Sequence, residues 1–130
     1  MSVYCLDTSA YSNFRRGNED VASLLDRAEL VGMPTIALGE LRTGFLLGSR
    51  RRRNEAELEA FLDNPSVEEL QVDSETSRHY AEIVVELRRA GTPVPTNDIW
   101  IAATAARNGA TVLTCDDHFE RIARVGSILL

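Results

Sequence analysis

Apolar positions along this chain alternate between short β-prone runs and longer stretches at helical spacing. Val3 to Leu6 is short and apolar and predicts an opening strand. Ser9 to Phe14 predicts a short helix capped by Thr8 or Ser9. Asn18 is placed to cap a second helix, with Val21, Leu24, Leu25 and Ala28 on one face. Pro34 to Ala37 reads as a second strand. Leu38 to Leu47 follows as a helix with Leu38, Leu41 and Phe45 inward. A basic turn, Gly48-Ser49-Arg50-Arg51-Arg52-Arg53, leads into a helix over Asn54 to Leu62. Val67 to Val72 predicts a third strand despite Glu68 and Glu69.

The second half is more regular. Ser74 to Ala90 predicts a long helix closed by Gly91 in a left-handed cap, and Thr92-Pro93-Val94-Pro95 stops it. Thr96 or Asn97 caps the next helix, which runs to Asn108. Ile99, Trp100, Ile101 and a series of alanines make it apolar almost all round, so it belongs in the centre. A strand over Ala110 to Thr114, a short helix over Asp117 to Ala123 and a strand over Ser127 to Leu130 complete the chain. Strands separated by helices imply an α/β sandwich: a mostly parallel central sheet with helices on both faces.

Composition narrows the possibilities. The 130 residues are expected to form a single domain over 1–130. Cys5 and Cys115 are too few for a disulfide framework or a zinc site and read as small core fillers. Trp100, Tyr11 and Phe14 read as core or contact residues. No apolar run has membrane-spanning length, and the first residues lack a basic, apolar leader. The expected compartment is therefore the cytoplasm, with no membrane partner. The fourteen basic residues are all Arg, which excludes chemistry that needs a lysine ammonium. Twenty acids give a net charge of −6, which by itself disfavours a nucleic-acid partner.

The placement of the acids changes that picture. Asp7 follows the first predicted strand and Asp116 follows the strand ending at Thr114. Residues just beyond the carboxyl ends of parallel strands line the ligand crevice. Asp98 lies in the first turn of the most apolar helix, where it also complements the helix dipole. Glu40 follows the second predicted strand at a helix start, after Gly39, which permits close backbone approach. Such carboxylates either raise one another's pKa or bind cations, and an all-oxygen set suits Mg²⁺ or Mn²⁺. The other acids fall on polar helix faces.

The same residues carry a family resemblance. Val3-Tyr4-Cys5-Leu6-Asp7-Thr8-Ser9, Gly39-Glu40-Leu41, Asn97-Asp98-Ile99-Trp100-Ile101-Ala102-Ala103 and Leu113-Thr114-Cys115-Asp116-Asp117-His118-Phe119 occur in order. Together they resemble a PIN domain, and more narrowly VapC, the ribonuclease toxin of a type II toxin–antitoxin pair. The resemblance implies a metal-dependent endoribonuclease acting on structured RNA such as tRNA or rRNA. It implies Asp7, Glu40, Asp98 and Asp116 as the acidic cluster, with Ser9 or Thr114 as polar support. It also implies a homodimer and a small antitoxin that blocks the site, often with an arginine near the acids. Either Asp116 or Asp117 is the inner ligand, and the T-x-D-x-x-F pattern favours Asp116. His118 stands where many relatives have an acid, and is expected at the surface or behind the ligands.

On this reading Asp7 and Asp116 contact one or two Mg²⁺ or Mn²⁺ ions, and Asp98 helps to bind them. Glu40 binds through water or acts as a base. Water attack leaves a 5′-phosphate and a 3′-hydroxyl. Arg50, Arg51, Arg52 and Arg53 either contact phosphate or form a solvated turn balanced by Glu55, Glu57 and Glu59. Two alternatives differ in class. A catalytically silent PIN-like binding module would not need all four acids. A Mg²⁺-dependent haloacid-dehalogenase-like phosphatase wants an aspartate where Ser9 stands, and a lysine.

Overall fold

Strands and helices alternate through most of the chain as β1 (Val3–Leu6), α1 (Thr8–Arg15), α2 (Glu19–Arg27), β2 (Leu30–Pro34), α3 (Thr35–Leu47) and α4 (Arg51–Leu62). Then come β3 (Val67–Leu70), α5 (Ser74–Ala90), α6 (Thr96–Arg107), β4 (Thr111–Thr114), a 3-10 turn over Asp117–Arg121 and β5 (Ser127–Leu129). The computed structural model describes residues 2–130. Among them the strands form one five-stranded sheet in the order β3-β2-β1-β4-β5, and every pairing is parallel. No described helix is long and apolar enough to cross a membrane.

Side-chain alternation along the central strands divides the core in two. Cys5 and Val112 face one layer, where α5 and α6 contribute Ile83, Leu87, Ile101 and Ala102. Leu6 and Leu113 face the other, where Tyr11, Leu38, Leu41 and Leu58 pack from α1, α3 and α4. Buried on both faces, β1 and β4 are apolar throughout their centres. The edge strand β3 exposes Glu68 and Glu69, which discourages pairing with another chain. Trp100 is half-buried, and its ring stacks on Tyr80 at 3.8 Å, fastening α5 to α6. Tyr11 and Phe14 both meet Phe61, at 5.2 and 5.6 Å.

Several expected boundaries are corrected. The second strand is Leu30–Pro34, not Pro34 to Ala37, and the helix after it begins at Thr35. Gly32 interrupts the apolar run yet pairs inside the strand, and it is glycine because Leu70 fills the space a side chain would take: a Cβ there would overlap Leu70 Cδ1. Glu40 consequently sits within α3 and not at its start, and no neighbour approaches Gly39 closely. Three of the four clustered arginines are helical, because α4 starts at Arg51. The cap of α1 is Asp7, not Thr8 or Ser9, and α6 follows Pro95 with no side-chain cap from Thr96 or Asn97. β3 ends at Leu70 and the last helical segment is a 3-10 turn ending at Arg121. The long helix Ser74–Ala90 and its left-handed Gly91 (φ 65°) stand as predicted, begun by an Asp73–Thr76 capping box.

Candidate active site

The carboxyl ends of β1 and β4 lie level, with Leu6 opposite Leu113. Asp7 is the next residue, and its amide donates to the Leu113 carbonyl at 3.2 Å. Its side chain turns into the first turn of α1, where Oδ1 accepts from the Ala10 amide and the Ser9 hydroxyl, each at 2.8 Å. The Thr114 hydroxyl donates to Oδ2 at 2.5 Å. These contacts lower the pKa of Asp7, but burial outweighs them and holds its carboxyl above the ordinary range. Asp7 is only 4% exposed.

Ser9 and Thr114 tie β1 to the turn after β4. Ser9 Oγ accepts from the Cys115 amide at 2.9 Å, and Thr114 Oγ1 accepts from the Asp116 amide at 2.8 Å. That turn presents Asp116, whose Oδ1 accepts from the His118 amide at 3.1 Å. The first turn of α6 supplies Asp98. His118 Nδ1 lies 2.8 Å from Asp98 Oδ2 and 3.0 Å from Asp116 Oδ1. One ligand atom from each of these three side chains falls within 4.8 Å of the others. Burial raises the pKa of Asp98, and the charges of Asp116 and Glu40 add to the effect, while His118 opposes it.

Glu40 reaches the same crevice from α3. Its Oε1 accepts from the Thr8 hydroxyl at 2.7 Å and its Oε2 from the Asn97 side-chain Nδ2 at 3.4 Å. Thr8 and Asn97 are the chain neighbours of Asp7 and Asp98, so two backbone turns aim a donor at one glutamate. The structure thus gathers Asp7, Glu40, Asp98 and Asp116 from four separated segments. Asp117 is exposed and makes no hydrogen bond to the group, and Asp116 is the inner of the two.

His118, Thr8 and Asn97 are the residues that sequence reasoning did not place in the crevice. His118 lies two positions beyond Asp116, the spacing at which a turn brings a side chain back over its own cap. The sequence reads Thr8 and Asn97 as cap candidates, and their residue types suit either task. Cys5 is buried and Cys115 half-buried, both free, and burial raises both thiols, so neither is an activated nucleophile.

The donor set fits a divalent cation. Among the described residues no arginine forms an ion pair with Asp7, Glu40, Asp98 or Asp116, so the crevice carries uncompensated negative charge. Carboxylates suit hard divalent cations, and the imidazole of His118 stands within reach of the same point. Arg50 to Arg53 are all exposed and do not converge on the acids. Arg50 and Arg53 line one cavity, and Arg51 and Arg52 line a separate groove.

A family model described as PIN domain matches residues 4–125. Ribonuclease VapC5 of Mycobacterium tuberculosis is 35% identical over 127 residues, covering 95% of this chain and 90% of that protein. The solved structure of VapBC-5, a toxin–antitoxin system member from the same organism, superposes with a TM-score of 0.80 at 30% identity and covers 100% of both chains. DNA-bound VapBC from Salmonella typhimurium superposes at 0.86 with 29% identity, covering 98% of each chain.

Proposed function

The chain belongs to the PIN-domain family and its VapC ribonuclease branch, and from that premise we propose that it is a metal-dependent endoribonuclease toxin cutting structured RNA of the tRNA or rRNA class. The observation that carries this reading is the convergence of Asp98, Asp116 and His118 to within 4.8 Å beside the buried Asp7. Asp7, Asp98 and Asp116 would hold one or two Mn²⁺ or Mg²⁺ ions, with His118 beside them. When bound, such an ion lowers the pKa of water and neutralises charge developing on the phosphate oxygens.

The protein's own groups do the rest. Ser9, Thr114 and the Ala10 amide hold Asp7 in one orientation, so the inner wall needs no rearrangement when substrate arrives. Glu40, steered by Thr8 and Asn97, faces the crevice as an acceptor for a proton from the attacking water. Water attack leaves a 5′-phosphate and a 3′-hydroxyl. The proposed partners are a small antitoxin protein and a second copy of the chain. Leu46 and Leu47, 65% and 85% exposed at the end of α3, offer apolar area for such contacts.

The test is cleavage of a panel of structured RNAs with Mn²⁺ or Mg²⁺. Wild type is expected to cut, and EDTA, Asp98→Asn and Asp116→Asn each to reduce the rate at least ~100-fold, the scale of losing a main electrostatic contribution to the transition state. Cutting that ignores EDTA and survives both substitutions overturns the metal–carboxylate mechanism. A protein that binds RNA without cutting it is the silent module instead.

A further inference from the structure

A cavity of about 240 Å³ opens between α1, α3 and α4, lined by none of the four clustered acids but reached from them along α1. Arg15, Arg16, Arg50 and Arg53 line it, with Glu57 as its only acidic residue. Glu57 is shared between Arg53 at 3.1 Å and Arg15 at 3.9 Å. Arg16 and Arg50 have no ion-pair partner among the described residues, so the cavity is short of negative charge. Ser12 and Asn54 add uncharged donors.

Beneath it lies an unexplained polar group. Tyr11 is 2% exposed, and its hydroxyl is buried without a hydrogen-bond partner. A buried hydroxyl left without a partner is costly and calls for a reason. Tyr11 lines the cavity beside Arg15 and Glu57, whose charges act on its hydroxyl.

The position of the cavity is informative. Thr8, which holds Glu40, and Ser12, Arg15 and Arg16 follow one another along one face of α1 at helical spacing. The span from Thr8 to Arg15 is about 10 Å at the helical rise, so the cavity lies within a short stretch of backbone from Glu40. On the facing helix, Leu41 and Phe45 continue the wall from Glu40.

We propose that this cavity is a phosphate-binding subsite that holds the RNA backbone beside the scissile bond, with Arg16, Arg50 and the Tyr11 hydroxyl as its principal donors. The inference rests on the nuclease reading and divides the arginine run: Arg50 and Arg53 serve the substrate track, whereas Arg51 and Arg52 turn to the more apolar groove beside Arg42 and Phe45. Guanidinium forks match phosphate oxygens in pairs, and a small, donor-rich cavity suits a phosphate better than it suits a peptide helix.

The test is fluorescence anisotropy of a labelled RNA hairpin at several salt concentrations with Mn²⁺, all proteins carrying Asp98→Asn to prevent cleavage. Adding Arg16→Ala with Arg50→Ala is expected to weaken binding about tenfold and to reduce the slope of log Kd against log salt by about 1–2. Tyr11→Phe is expected to weaken binding severalfold without lowering the Tm. Arg88→Ala with Arg89→Ala, an equal charge change on α5, controls for net charge and is expected to leave the slope unchanged. A slope that the Arg16 and Arg50 pair moves no more than this control overturns the proposal. So does a pair variant that leaves RNA affinity intact but weakens binding of a labelled acidic peptide titrated in parallel. Separate cleavage by the unmutated protein tests the nuclease reading: slope loss without cleavage keeps the subsite and sinks that reading, and the converse does the reverse.

Discussion

Asp7 is held for two purposes that conflict energetically. Its carboxylate caps α1 and closes a network with Ser9 and Thr114, yet its burial favours the protonated form. A carboxylate whose folded pKa lies above its unfolded value binds more protons when folded, so stability falls as pH rises from the ordinary carboxylate range through the raised folded pKa. In EDTA at neutral pH, Asp7→Asn is therefore expected to raise the Tm by a few degrees and to flatten that pH dependence while cleavage is lost. Asparagine retains the capping oxygen, and Thr114 can accept its amide. A Tm below wild type in calorimetry contradicts this account of Asp7. At this scale the sequence was legible wherever a strand end announced a carboxylate, as at Asp7 and Asp116. It set His118 at the surface or behind the ligands and did not show it bridging Asp98 and Asp116, because that position is defined by a tertiary contact between α6 and the turn after β4.

The elements read most easily were those with punctuation at both ends. α5 has Asp73 before it and Gly91 after it, and its residue range matches the pattern reading at both ends. β2 was displaced because Gly32 carries no apolar side chain to mark the strand, and its meaning lies in Leu70 across the sheet. Gly32→Val is expected to destabilise the fold by about 1–3 kcal/mol, the usual cost of overpacking, measured as a lowered urea midpoint at unchanged m-value. A midpoint equal to wild type shows instead that Leu70 moves aside freely. Moving β2 forward also moved Glu40 from the start of α3 into its second turn, where Thr8 and Asn97 can reach it.

Across the whole molecule the charge balance looks different once the crevice is set apart. Twenty acids and fourteen arginines give −6; without Asp7, Glu40, Asp98 and Asp116 the remainder is −2. The acidity therefore resides largely in one crevice, and the basic cavity lies along α1 from it. An empty crevice repels a polyanion, so RNA affinity is expected to fall at least ~10-fold in EDTA at constant ionic strength; equal affinity with and without the ion contradicts the electrostatic account. The most direct test of the central claim is to sequence the 5′ ends generated in total RNA by the wild type with Mn²⁺, beside Asp98→Asn and an EDTA control. The account predicts discrete new ends bearing 5′-phosphate in the wild type alone. The same ends from the variant, or ends bearing 5′-hydroxyl opposite 2′,3′-cyclic phosphate, contradict it.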